Sequence, residues 1–341
     1  MNLTDISKFR SHLMGIAMLM VVFHHLPIEI GNSVYSYLKL NAGFGVDIFL
    51  LLSGLGLYFS MSKFGSTLAS YYKNRAIRIF PIYAIIILCV SLIKGDFDLR
   101  TYLLDASTLG WWIDGTCYDW FIPTIVLLYA VFPLFYYAIL RHKTGLWGGY
   151  AIAITLYICI ILFVPYGSNF QMLLRFPTFF LGGVIGKLIK EHDKSCNNKL
   201  FLCILFVLFC IGLSLSIYAF IYCNPPCAVT VIPEIKKTGW LFIPYFLMVP
   251  FFCLLLCKIM EWKVSKPLLP FLKDVGVMSI EVYLLHGQFI VLTRTLTNEY
   301  GWSKPLVGAI LITACFILCW YVHKFNTWIM DMLKTKKHKD S

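Results

Sequence analysis

Apolar runs of about 20 residues recur along the whole chain, and this pattern constrains the fold more than any other feature. A helix of that length crosses the roughly 30 Å hydrocarbon core of a bilayer. Of the 341 residues, 59% are hydrophobic and only 13% are charged. The mean hydropathy is +0.77. A soluble domain carries about a quarter of its residues as charges. The sequence therefore predicts an all-α polytopic membrane helix bundle, with residues 1–341 forming a single integral-membrane domain.

Ten spans are expected, at roughly 12–30, 43–62, 79–93, 120–140, 146–164, 176–190, 200–222, 240–257, 275–295 and 305–323. Most of the 29 lysines and arginines gather at alternate joints. Examples are Lys8 and Arg10, the Lys73–Arg78 stretch, Lys258–Lys273, and a basic tail from Lys324 to the end. Basic residues mark the cytoplasmic side, so both termini are expected there and the number of spans is expected to be even. The net charge of +12 is then a topological signal and not a nucleic-acid footprint. The first apolar run lacks a small-residue cleavage site, so it reads as a span rather than a signal peptide. No stretch between spans is long enough to fold by itself.

Most of the 12 cysteines lie inside apolar runs, where they act as small hydrophobes. Cys223 and Cys227 flank Asn-Pro-Pro in a predicted outer loop and are candidates for a disulfide. No His, Asp or Glu stands near them at metal-ligand spacing.

Ionisable residues inside spans are costly and mark function by default. His24 and His25 sit near the far end of the first span. Counted from Arg10, His25 lies roughly 22 Å up the helix, beyond the midplane. A neutral imidazole there can take a proton from a hydroxyl. The two rings point about 100° apart, so one is expected to face a site and the other to pack. Asp47, at the start of the second span, is either a dipole-favoured helix acid or the carboxylate that orients His25; the hairpin of the first two spans favours the second role. Gly54 and Gly56 allow close helix approach.

Arg75 and Arg78 are three apart on one helix face at the expected cytoplasmic end of the third span. They either anchor the span or bind a polyphosphate such as coenzyme A. The segment from Lys94 to Asp119 is acidic and carries Trp111, Trp112 and Tyr118. It is either an interfacial aromatic belt or a cover that helps bind sugar faces. The ninth span holds Glu281, Tyr283 and His286, which suggests a buried polar cavity. Arg175, before the sixth span, is either a substrate contact or interfacial. Gly182, Gly183 and Gly186 read as packing glycines.

Six segments, LMGIAMLMVVFHH, FGVDIFLLLSG, YYKNRAIRIFPIY, WFIPTIVLLYAVFP, RFPTFFLGGVIG and SIEVYLLH, occur in this order over about residues 10–290. Together they resemble the integral-membrane acyltransferase-3 family, the ten-span bacterial O-acyltransferases. The resemblance implies a bacterial plasma-membrane enzyme that moves an acyl group, usually acetyl from cytoplasmic acetyl-CoA, to a carbohydrate hydroxyl. It implies no permanently bound cofactor. His25 matches the family's essential histidine, and Arg75 with Arg78 matches its Arg-x-x-Arg motif. Ten residues separate a basic residue from the histidine in the family; here that position is Met14, with Arg10 one turn earlier.

On this reading His25, Asp47, His286 and Tyr283 are catalytic, and Arg10, Arg75 and Arg78 bind the donor. Glu281, Arg175 and Trp120 contact the acceptor. His286 or Tyr283 is placed to hydrogen-bond the developing oxyanion. The expected partners are the lipid bilayer, a saccharide acceptor that is an envelope or exported polysaccharide or its lipid-linked precursor, and polysaccharide synthesis or export machinery. A transporter or flippase using the intramembrane histidines as a proton relay is the rival from another class, and a non-catalytic partner of a polysaccharide synthase is a third.

Overall fold

The computed structural model describes residues 2–63, 67–113, 115, 118–163, 172–191, 199–222, 228–229, 237–238 and 243–335. Cys223 and Cys227 lie outside the described residues.

The regular structure of the described residues is helical apart from one two-residue antiparallel pair, Ala228–Val229 with Lys237–Thr238. The helices are α1 (Leu3–Lys8), α2 (Arg10–His25), α3 (Ser33–Asn41), α4 (Gly45–Met61), α5 (Leu68–Lys94), α6 (Leu99–Ala106), α7 (Gly110–Ile113) and α8 (Phe121–Phe135). They continue with α9 (Gly145–Phe163), α10 (Phe176–Glu191), α11 (Lys199–Tyr222), α12 (Ile243–Met260), α13 (Leu269–Val277), α14 (Ser279–Glu299) and α15 (Lys304–Thr335). Each of the ten expected segments contains a helix. Among the described residues, six helical stretches are long and apolar enough to cross a membrane. A seventh is added if the bent pair Pro244–Met260 and Lys263–Val277, which turns by 97°, counts as one span. α2 and α10 have only 16 residues each.

Several bounds differ from the sequence expectation for local reasons. α2 stops at His25 because Pro27 follows; the residue before a proline is pushed out of helical geometry. Asn32 then starts α3, its side chain accepting the N–H groups of Val34 and Tyr35. α5 starts at Leu68, with Thr67 as its cap, so Arg75 and Arg78 lie within the helix rather than before it. α15 runs unbroken to Thr335, so residues 324–335 of the expected basic tail are helical.

The contacts divide into two compact units. The first comprises Met1–His24, Gly31–Gly65 and Val131–Gly276. Its centre is the pairing of α4 with α10. A Cβ at Gly54 would collide with the Phe179 carbonyl, and one at Gly182 with the Leu51 carbonyl. The glycines thus let the two backbones touch. α13 lies equally close to α2: a Cβ at Gly276 would strike the Ser11 carbonyl, and one at Gly15 the Leu272 carbonyl. α11 packs on α12, and α9 on α10.

The second unit comprises His25–Ile30, Ser66–Ala130 and Val277–Ser341. α14 packs on α15, and both pack on α5. α6, capped by Asp98 through the Thr101 N–H at 2.8 Å, also packs on α5.

Candidate active site

The second unit brings together most of the residues singled out above. His25, the last residue of α2, is exposed, and its ring lies edge-on to that of His286 on α14, with centroids 5.2 Å apart and planes at 67°. His286 is only 6% exposed. Its Nδ1 is 2.6 Å from the Tyr283 carbonyl and 3.2 Å from that of Val282. Carbonyls only accept, so Nδ1 carries the proton and Nε2 keeps its lone pair. The Tyr283 ring packs on His286 at 5.6 Å and on Phe121 at 4.9 Å.

Beyond Tyr283 lies a residue that sequence reasoning passed over as one of several loop acids. Asp119 immediately precedes α8, and its Oδ1 accepts the Ile122 N–H at 2.8 Å, as an N-cap does. The hydroxyls of Tyr83 and Tyr283 lie beside it and favour its charged form. Burial outweighs these effects and pushes the Asp119 carboxyl up to about 6. The signal was present in the sequence: an aspartate directly before the Trp120–Phe121 pair that opens an apolar run. Trp120 meets Phe121 edge-on at 5.9 Å, and its carbonyl accepts from the Thr124 hydroxyl at 2.7 Å. Tyr118 donates to the Leu284 carbonyl at 2.8 Å, tying the outer segment to α14.

Elsewhere in that segment, Asp98 is held below the ordinary carboxylate range by the Thr101 N–H and hydroxyl, whereas burial raises Asp105. With Asp96, Lys94, Tyr102 and Tyr118 these residues line a cavity of about 130 Å³.

Glu281 is buried, five residues before His286 on α14 and so on a different face, and its partners are on α15. Asn326 Nδ2 lies 2.7 Å and His323 Nδ1 3.1 Å from its Oε1. Both partners fall in what reads as the very end of the last span and the start of a tail. Their spacing of three on one helix face is the signal that could have found them.

Arg75 and Arg78 are half-buried on α5. The Arg75 guanidinium stacks between Tyr71 and Tyr129, with Cζ 5.6 and 5.8 Å from their ring centroids. The Tyr71 hydroxyl donates to the Tyr129 carbonyl at 2.9 Å and so holds this clamp together. Arg75 Nε is buried and has no hydrogen-bond partner among the described residues. Neither arginine pairs with a carboxylate among them.

Arg10, Asp47 and Arg175 belong to the first unit. Asp47 and Arg175 are both buried and form an ion pair at 3.0 Å; Arg175 also donates to the Gly43 carbonyl at 3.2 Å. Arg175 is therefore a structural partner of Asp47, a pairing not read from the sequence. Arg10 Nε donates to the Leu52 carbonyl at 3.0 Å, and its guanidinium lies against Gly56, where a Cβ would come within 2.6 Å of Nη2. Gly56 thus makes room for Arg10. Met14 is buried. His24 donates from Nδ1 to the Lys39 carbonyl at 2.9 Å and lies beside Gly43, in a supporting position.

A sequence model of the acyltransferase-3 family, described as an acyltransferase domain, matches residues 12–324. The chain belongs to that family. It is a multi-pass membrane acyltransferase. Comparison with curated proteins and with solved structures gave no match. Arg10 precedes the first matched residue, whereas the other candidate site residues of the acyltransferase fall within the match.

Proposed function

We propose that the acyltransferase is a bacterial plasma-membrane O-acetyltransferase. It moves acetyl from cytoplasmic acetyl-CoA to a hydroxyl of an envelope or exported polysaccharide, or of its lipid-linked precursor. His25 is the base. The observation that carries this reading is the exposed His25 ring set against buried His286 in a chain of the acyltransferase family.

The acceptor hydroxyl gives its proton to His25 as its oxygen attacks the thioester carbonyl. The C–S bond then breaks, and the coenzyme A thiolate takes the proton back from His25. Arg75 and Arg78 hold the donor's phosphates: among the described residues the Arg75 Nε has no hydrogen-bond partner and neither arginine has a carboxylate counter-ion, which suits an anionic ligand. Arg10, held by Leu52 and Gly56, steadies the start of the histidine-bearing helix. Trp120 and the neighbouring tyrosines offer ring faces to a sugar, and polysaccharide synthesis or export machinery supplies it.

The test is acetyl transfer from labelled acetyl-CoA in membranes carrying His25→Ala, with the protein still folded. Loss of transfer is expected. Transfer at the original rate removes His25 from the mechanism.

A further inference from the structure

Asn326 on α15 is 3% exposed, and the two polar atoms of its side chain differ in how they are met. Nδ2 donates to Glu281 Oε1 at 2.7 Å, whereas Oδ1 is buried and has no hydrogen-bond partner among the described residues. The residue lies beyond the stretch that the family model matches, 12–324, so no role comes to it from the family. We propose that Asn326 binds the acyl donor: its Oδ1 accepts an amide N–H of the pantetheine arm of coenzyme A. The inference rests on the reading of acetyl-CoA as donor, with its phosphates at Arg75 and Arg78.

Three observations carry it. First, the chemistry of the gap is fixed. A carboxylate only accepts, so the amide turns Nδ2 to Glu281; reversing it would set two acceptor oxygens together. The His323 ring, with Nδ1 3.1 Å from the same Glu281 oxygen, holds the carboxylate as well. The missing partner of Oδ1 is therefore an N–H or O–H group and not a phosphate. Second, a buried acceptor left unpaired is costly and rare in folded proteins. A ligand that enters between the helices supplies the donor where bulk water does not reach. Third, the depth fits. Glu281, which Asn326 touches, lies five residues, roughly 7.5 Å, from His286 towards the start of α14. An arm that enters at the start of α14 and carries its thioester to His25 and His286 passes this level. Both α14 and α15 pack on α5, which bears Arg75 and Arg78.

The two sets of groups are complementary. Arg75 has only donors to offer, which suits phosphate oxygens; Asn326 offers an acceptor, which suits an amide N–H. Coenzyme A carries both, an anionic head and an arm with amides. Those amides need partners on their way through an apolar interior, because an unpaired one is expensive there.

The experiment uses full-length protein in inside-out membranes of a host strain that lacks the native gene and keeps its endogenous acceptor. Turnover and KM are read with labelled acetyl-CoA. The inhibition constant of pantetheine, which keeps the arm and lacks the nucleotide and its phosphates, is read beside them. Asn326→Leu removes the acceptor and the bond to Glu281. Asn326→Lys keeps a donor for Glu281 and removes only the acceptor, so it carries the test if the Leu variant does not fold. Both variants should raise the KM for acetyl-CoA and the inhibition constant of pantetheine about tenfold, with turnover little changed. Arg75→Gln should raise only the first. A Lys variant with the original KM overturns the proposal, because Asn326 then serves only to hold Glu281. Turnover that falls at unchanged KM has the same meaning. A rise for acetyl-CoA without one for pantetheine also overturns it and points to the adenine amino group as the partner. The unaltered protein tests the donor reading: no transfer from acetyl-CoA removes that reading and this one with it, whereas normal transfer with unmoved constants in the variants removes only the role of Asn326.

Discussion

Asp47 and Glu281 are both carboxylates buried to about 1% exposure, yet the two units treat them differently. In the first unit Asp47 meets a full cation, Arg175, and glycines at 54, 182, 276 and 15 lock the backbones around that region together. In the second, Glu281 meets the side chains of His323 and Asn326, and the buried Nε of Arg75 has no hydrogen-bond partner among the described residues. A saturated ion pair among interlocked helices holds structure. Polar groups with spare donors and acceptors are what chemistry needs, because a substrate has to complete them.

The widest separation between the units is expected at His25 and Gly54. Removing a general base costs about 10²–10⁴-fold in rate. His25→Ala should therefore lose acetyl transfer while its melting temperature stays put. Gly54→Leu should instead lose the folded protein itself, since the Phe179 carbonyl occupies the space; detergent-solubilised yield and size-exclusion profile show which has happened.

The next effect concerns the ion pair. Stranding one buried charge costs about 3–5 kcal/mol, whereas replacing both partners with apolar groups is close to neutral. Asp47→Leu and Arg175→Met should each lower thermal stability strongly, and the double variant should recover most of it. A double variant as unstable as the singles would mean that the pair does more than hold structure.

Arg75→Gln and Arg78→Gln should be milder. On the proposed reading each removes a charge-assisted contact to a phosphate, so KM for acetyl-CoA should rise about tenfold with turnover little changed. An unchanged KM would return both arginines to simple anchoring.

The smallest expected effect is at Asp119. Its carboxyl is raised from the ordinary 3.8 to about 6, so the folded protein holds this proton more tightly than the unfolded chain. That contribution disfavours folding at pH 7 and fades as the pH falls through 6 towards 4. The wild-type melting temperature should gain a few degrees between pH 7 and 5 relative to Asp119→Asn, in which the gain is absent. Parallel pH profiles for the two proteins would show that Asp119 is ordinarily ionised.

Much of the architecture was legible because hydropathy is a local property. Each apolar run contains a helix, but the bounds departed from the expectation where the pre-proline position at Leu26 ends α2 and the caps Asn32 and Thr67 start the helices that follow them. The site was legible in part. His25 and His286 stand out because ionisable groups are rare inside apolar runs, and Arg75 with Arg78 stands out by spacing. Their partners were not legible. Arg175 lies 128 residues from Asp47, and Asn326 lies 45 from Glu281. No local pattern links such pairs. Gly56 reads as a packing glycine, and only the structure shows a guanidinium against it.

The sequence by itself thus determined that the chain is a helical membrane protein of the acyltransferase kind, and which rings and cations are costly enough to matter. Burial cost depends on residue type and on the run that surrounds it, and both can be read along the chain. Tertiary structure alone decided that Arg175 neutralises Asp47, that Arg75 stacks between two tyrosines, and which nitrogen of His286 carries the proton. Hydrogen bonds act over about 3 Å, and only folding brings distant segments that close.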